Sequence, residues 1–147
     1  MYQDLGAAAL TAGFECRAEE LPAIAGAGVP LAAVAWGHVP LMLTRACPLQ
    51  NIRKCRDCPG RGFLADRKGL HLPVDCTAPG PAGVRTVYNA VPLYAGDRAA
   101  RLPVRWLLAY FTHEAVPRVR EILDMALAGR GYSGDCTRGL YWKERNE

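Results

Sequence analysis

Four cysteines, Cys47, Cys55, Cys58 and Cys76, follow one another with seven, two and seventeen residues between them, and any fold that uses them must gather them at one place. A Cys-x-x-Cys core with a further cysteine on each side supplies four thiolates, the number taken by tetrahedral zinc or by the four irons of a cubane cluster. Ligand softness does not separate those two metals. Arg45, Arg53, Lys54 and Arg56 surround the set. Basic neighbours lower thiol pKa and offset the charge that four thiolates leave on either centre. Two plainer readings compete: free thiols brought together by chance, and a redox dithiol at Cys55 and Cys58 alone, for which a thioredoxin-like context is not evident. Cys16 and Cys136 stand far from the set and read as small, buried residues.

Compartment decides between metal and disulfides. Met1-Tyr2-Gln3-Asp4 lacks the basic and apolar regions of a secretory signal, so the expectation is a cytoplasmic chain with reduced thiols. Half of the residues are apolar and 22% are charged, an ordinary globular composition for one domain. The 18 basic and 14 acidic residues are interspersed, so charge alone does not argue for nucleic acid. Residues 21–43 carry no Asp, Glu, Lys or Arg, but Pro22, Pro30 and Pro40 would break a spanning helix. A helix, a loop and a buried strand are expected there, with no membrane span.

Residues 7–12 read as a first buried strand and 18–25 as a short helix with Pro22 near its first turn. Strands are expected at 31–36, 84–89 and 104–111, each bounded by Gly or Pro. Val116, Val119, Ile122, Leu123, Ala126 and Leu127 repeat at helical spacing, and Gly129 and Gly131 end that helix. Short apolar strands followed by helices imply a parallel sheet, and four such βα units make either a small open sheet or about half of a TIM barrel. The expected organisation is βα units in 1–43, a cysteine-rich insertion with a hairpin at 63–70 in 44–83, the last two βα units in 84–131, and a tail in 132–147. Tyr141 and Trp142 are costly to leave in water and Arg138 needs an acidic or carbonyl partner, so the tail is expected to fold back on the body.

The run Val39-Pro40-Leu41-Met42-Leu43-Thr44-Arg45-Ala46-Cys47-Pro48-Leu49, then Cys55 and Cys58, then Asp66-Arg67-Lys68-Gly69 and Leu72-Pro73-Val74-Asp75-Cys76, resembles the collagenase-like peptidase U32 family. Tyr88-Asn89-Ala90-Val91-Pro92-Leu93 is similar to that family's Asn-Ser-x-Pro-Leu segment, Tyr110-Phe111-Thr112-His113-Glu114 to its last strand and loop, and Thr137-Arg138-Gly139-Leu140-Tyr141 to its carboxyl-terminal signature. The chain departs from the pattern at Leu72, Ala90 and Cys136. The resemblance spans nearly the whole chain in order. It implies an α/β fold, the carboxyl-terminal half of a partial TIM-like (β/α) barrel, whose cysteine insertion carries a [4Fe-4S] cluster on Cys47, Cys55, Cys58 and Cys76. It implies also a missing amino-terminal barrel half as partner, without which the isolated chain is expected to be inactive and marginally stable.

Members with assigned activities are linked to oxygen-independent hydroxylation of tRNA or rRNA bases or of the ubiquinone ring, with prephenate in place of oxygen; others carry the older peptidase label. A peptidase needs a nucleophile with a base, or zinc with an open position. His38, His71 and His113 are scattered and form no such motif. A non-catalytic four-cysteine zinc module, with Arg53, Lys54, Arg56, Arg61, Arg67 and Lys68 turned to RNA or a protein, is a third class. For the hydroxylase, Glu15, Asn89, Thr112 and Glu114 stand just past strands, and Asn89 and Glu114 are the catalytic candidates. The competing reading is helix amino-terminal placement for Glu15 and Glu114 and a strand-end cap for Asn89.

Overall fold

The computed structural model describes residues 4–26, 28–80 and 82–143. In chain order it forms β1 (Leu10–Thr11), α1 (Leu21–Ala25), β2 (Leu31–Gly37), β3 (Pro40–Thr44), β4 (Arg61–Ala65), β5 (His71–Cys76), β6 (Arg85–Tyr88), β7 (Leu93–Tyr94), β8 (Trp106–Tyr110) and α2 (Val116–Leu127). Two units result, one from the described residues of Met1–Gly37 and Val91–Glu147, the other from His38–Ala90.

In the first unit β2 reads Leu-Ala-Ala-Val-Ala-Trp-Gly, apolar on both faces, and all seven residues are buried. Such a strand belongs inside a sheet. It runs parallel to β1 and to β8, and antiparallel to β7. Gly37 closes it with φ +147°, where an added Cβ would lie 2.6 Å from the Tyr110 carbonyl oxygen, so the close approach to β8 requires glycine. Helix α2 has Pro117 in its first turn and buries Ile122 and Met125 against Trp36 and Tyr94. The Trp36, Tyr94 and Tyr132 rings meet in tilted or edge contacts, with centroids 5.0–6.1 Å apart.

The carboxyl-terminal segment is tied into this unit, as its aromatic content leads one to expect. Thr137 bridges to Leu93 as a parallel partner. Arg138 donates to the Tyr94 carbonyl at 2.8 Å and grips both carboxylate oxygens of Asp97. The Tyr141 hydroxyl, buried, donates to the Val34 carbonyl at 3.0 Å.

The second unit is one antiparallel sheet in the order β3-β6-β5-β4. The hairpin expected at 63–70 forms between β4 and β5, its turn held by the Asp66 carboxylate accepting from the amides of Lys68 and Leu70. Leu49, Val74 and Val87 make its small core, each such burial stabilising by about 1.5–3 kcal/mol.

The fold is mixed α/β, rich in strands and poor in helix, and no closed barrel forms among the described residues. Residues 84–89, expected as a third strand of the parallel series, are instead β6, antiparallel to β3 and β5. The cause is local. Val87 and Arg85 both turn inward on the alternating period, into the cysteine unit, and Pro92 and β7 follow where a helix was expected. The first strand is only two residues long, because Ala7, Ala8 and Ala9 offer little side chain to bury. No helix among the described residues is long and apolar enough to cross a membrane.

Arg138→Ala strips Asp97 of a bidentate partner in a site where the two side chains are 32% and 18% exposed. It should cost about 2 kcal/mol in urea unfolding, and Arg138→Lys should recover only part, since an ammonium cannot grip both oxygens. A wild-type midpoint in Arg138→Ala would show that the tail is merely lying on the surface.

Candidate metal centre

The cysteine unit places its thiols through three local structures. After β3 the chain turns back through Cys47, whose carbonyl accepts from Gln50, while Leu49 accepts from both Ile52 and Arg53. Leu49 anchors that turn by burying itself between Val74 and Val87, and Cys47 packs against the same cluster. Gly62 leaves the space for it, since an added Cβ would stand 2.7 Å from a Leu49 methyl. Cys55 opens a short 3₁₀ turn, Cys55–Asp57, and the Cys58 amide closes it on the Cys55 carbonyl at 3.2 Å. Cys76 ends β5, its amide donating 2.7 Å to the Gly60 carbonyl.

Together these elements bring Cys47, Cys55, Cys58 and Cys76 to the wall of a single cavity of about 590 Å³, with Arg45, Arg53, Lys54 and Arg85 beside them. All four are free thiols, Cys55 exposed and the other three half-buried. The Gly80 amide donates to the Cys55 sulfur at 3.3 Å, and the Cys76 thiol donates to the Ala78 carbonyl at 2.8 Å. Among the described residues no three His, Cys, Asp or Glu side chains converge closely enough to hold one ion between them.

Arg85, which the sequence reading passed over, is the charged member of this wall and is 4% exposed. Register explains its place. It lies across from Cys76 on one side and Thr44 on the other, and shares a face with Val87. Its guanidinium donates 2.6 Å bonds to the carbonyls of Arg45, Gly83 and Gly80, while Nε is buried with no hydrogen-bond partner among the described residues. The available signal was Arg85-Thr86-Val87-Tyr88: a charge on the inward phase of a strand needs a reason to be there.

Asn89 sits at the end of β6 but not on the cavity wall. Its side-chain oxygen accepts from the Val39 amide at 2.7 Å, and its carbonyl meets His38 Nδ1 at 2.8 Å, so the carboxamide caps the strand end. Glu114 belongs to the other unit. One carboxylate oxygen accepts from the Trp36 indole at 2.8 Å, the other from the amides of Thr112 and His113 at 2.8 and 3.0 Å. Glu15 is exposed, and the Thr112 hydroxyl is buried without a hydrogen-bond partner among the described residues. Geometry thus brings the four cysteines together and leaves Asn89 and Glu114 engaged in backbone caps.

No protein-family model matches the chain, and comparison with curated proteins and with solved structures gives no significant match.

Burial by itself would raise the Glu114 pKa, but the Thr112 amide, the Trp36 indole and the His113 amide outweigh it and hold the carboxyl below its ordinary value. A depressed carboxylate contributes its full stability above the unfolded pKa of about 4.3 and loses it as pH falls through the lower folded value. Glu114→Gln should therefore lower stability at pH 7 and flatten the acid limb below about pH 4.3. Urea midpoints at pH 7 and 3 check this; parallel losses in both proteins on acidification would contradict it.

Proposed function

We propose that the chain is part of an iron–sulfur enzyme resembling the U32 family, of the oxygen-independent hydroxylase type, with an RNA base or a quinone ring as substrate. The observation that carries the reading is the cavity walled by Cys47, Cys55, Cys58 and Cys76 together with buried Arg85. A cubane cluster takes one thiolate per iron and needs ligands spread around a body, whereas a single zinc needs all four sulfurs at about 2.3 Å from one point. The resemblance of the ordered motifs to that family favours the cluster over zinc. When bound, such a cluster supplies electron storage and transfer.

The chain's own residues do the rest. Leu49, Val74 and Val87 fix the turn and the strands that present Cys47 and Cys76, and Arg45, Arg53 and Lys54 put positive charge beside the thiolates. In the first unit, parallel β1, β2 and β8 are what a partial (β/α) barrel would contribute. Trp106, Leu107, Leu108 and Tyr110 on β8 are each 40–43% exposed, the state of an apolar strand whose next neighbour comes from other residues. The remaining barrel strands are accordingly the proposed partner, and prephenate the proposed oxygen donor. In a reducing compartment such as the cytoplasm the free thiols stay available to metal.

A zinc module that contacts RNA or protein through Arg53, Lys54, Arg56, Arg61, Arg67 and Lys68 is the second reading, favoured by the exposure of all six. Reconstitution decides. With iron and sulfide under argon, the chain should develop cluster absorbance that Cys47→Ala, Cys55→Ala, Cys58→Ala and Cys76→Ala each weaken or abolish, while Cys16→Ala and Cys136→Ala leave it intact. Cluster formation that survives loss of Cys47 or Cys76 but needs Cys136 would overturn the ligand set.

A further inference from the structure

Arg85 stands buried at the cavity wall, and its surroundings are unusual. A guanidinium cannot shed its proton in a protein, so burying it takes a charge out of water unless something compensates. The hydrogen bonds it makes go to three neutral carbonyls, and Nε is left over. Those carbonyls are not arbitrary. Arg45 lies two residues before Cys47; Gly80 and Gly83 lie in the loop that leaves Cys76, and the Gly80 amide bonds the Cys55 sulfur. One side chain thereby fastens the two loops that carry the outer cysteines and stands at the wall of their cavity.

We propose that Arg85 is the internal counter-charge of the cysteine site, a positioning residue that clamps both thiol-bearing loops and offsets the charge of the loaded centre. The inference rests on the four-thiolate reading. Either metal leaves a net double negative charge on four thiolates, which a buried cation stabilises far more than solvent-screened Arg45, Arg53 and Lys54 do. Adding an electron to a cluster makes it more negative still, so loss of the buried cation should make reduction harder.

The test uses the full chain reconstituted anaerobically with iron and sulfide, as wild type, Arg85→Lys, Arg85→Gln and the rim variant Arg45→Gln/Arg53→Gln/Lys54→Gln. Iron retained against a chelator and the midpoint potential from a spectroscopic redox titration are the readouts. Arg85→Gln should hold its metal roughly tenfold less tightly, the loss typical of a residue just outside the ligands, and move to a more negative potential. Arg85→Lys, charged but unable to hold three carbonyls, should keep a potential near wild type even where it binds iron less well. The rim variant should stay near wild type. A wild-type potential in Arg85→Gln, or a shift in Arg85→Lys as large as in Arg85→Gln, overturns the proposal. Should both Arg85 variants lose the apo fold by circular dichroism, the rim variant decides: an unchanged potential leaves the buried cation as the counter-charge, and a large shift assigns that role to the surface. If the wild type takes up zinc and no iron, the iron–sulfur reading fails, and the same series reports on Arg85 through zinc affinity.

Discussion

A charge buried at the start of a central strand, β6, organises the cysteine unit. Arg85 is placed by strand register, opposite Cys76, and its three carbonyl contacts reach into the segments before Cys47 and after Cys76. The unit's apolar core, Leu49, Val74 and Val87, is too small to fix those segments alone. Polar bonds from one rigid fork supply what packing does not. Four thiols line the same cavity.

The first unit is built on the opposite principle. Its central strand β2 is apolar throughout, its aromatic cluster joins Trp36, Tyr94 and Tyr132, and the pairing of Arg138 with Asp97 ties the chain back. Glu114 belongs to that frame. With both carboxylate oxygens engaged by the Trp36 indole and two backbone amides, it behaves as a structural cap, and a catalytic part would require it to exchange those partners for substrate. Asn89 is engaged in the same way in the other unit.

Much of this was legible in the residues themselves. Helix α2 was readable because Val116, Val119, Ile122, Leu123, Ala126 and Leu127 repeat at helical spacing up to Gly129, and the β4–β5 hairpin because Asp66 and Gly69 carry their own turn chemistry. The four cysteines were readable as a group from spacing alone. Strand pairing was not: Val84-Arg85-Thr86-Val87-Tyr88 reads equally well as a parallel barrel strand or an antiparallel one, and only the partners β3 and β5 decide. Two-residue β7 has no periodicity to detect, and the tail's hold on it comes from contacts distant in sequence. Arg85 went unseen because a lone arginine in a basic region reads as solvated until burial is known.

The central claim is that these four thiols hold a polynuclear iron site. X-ray absorption on anaerobically purified protein tests it most directly. The account predicts an iron edge, a first shell of sulfur alone at about 2.3 Å, as in other sulfur-ligated metal sites, and a second shell of iron scatterers. A zinc edge with four sulfurs and no metal–metal scattering, or no bound metal at all, would contradict it.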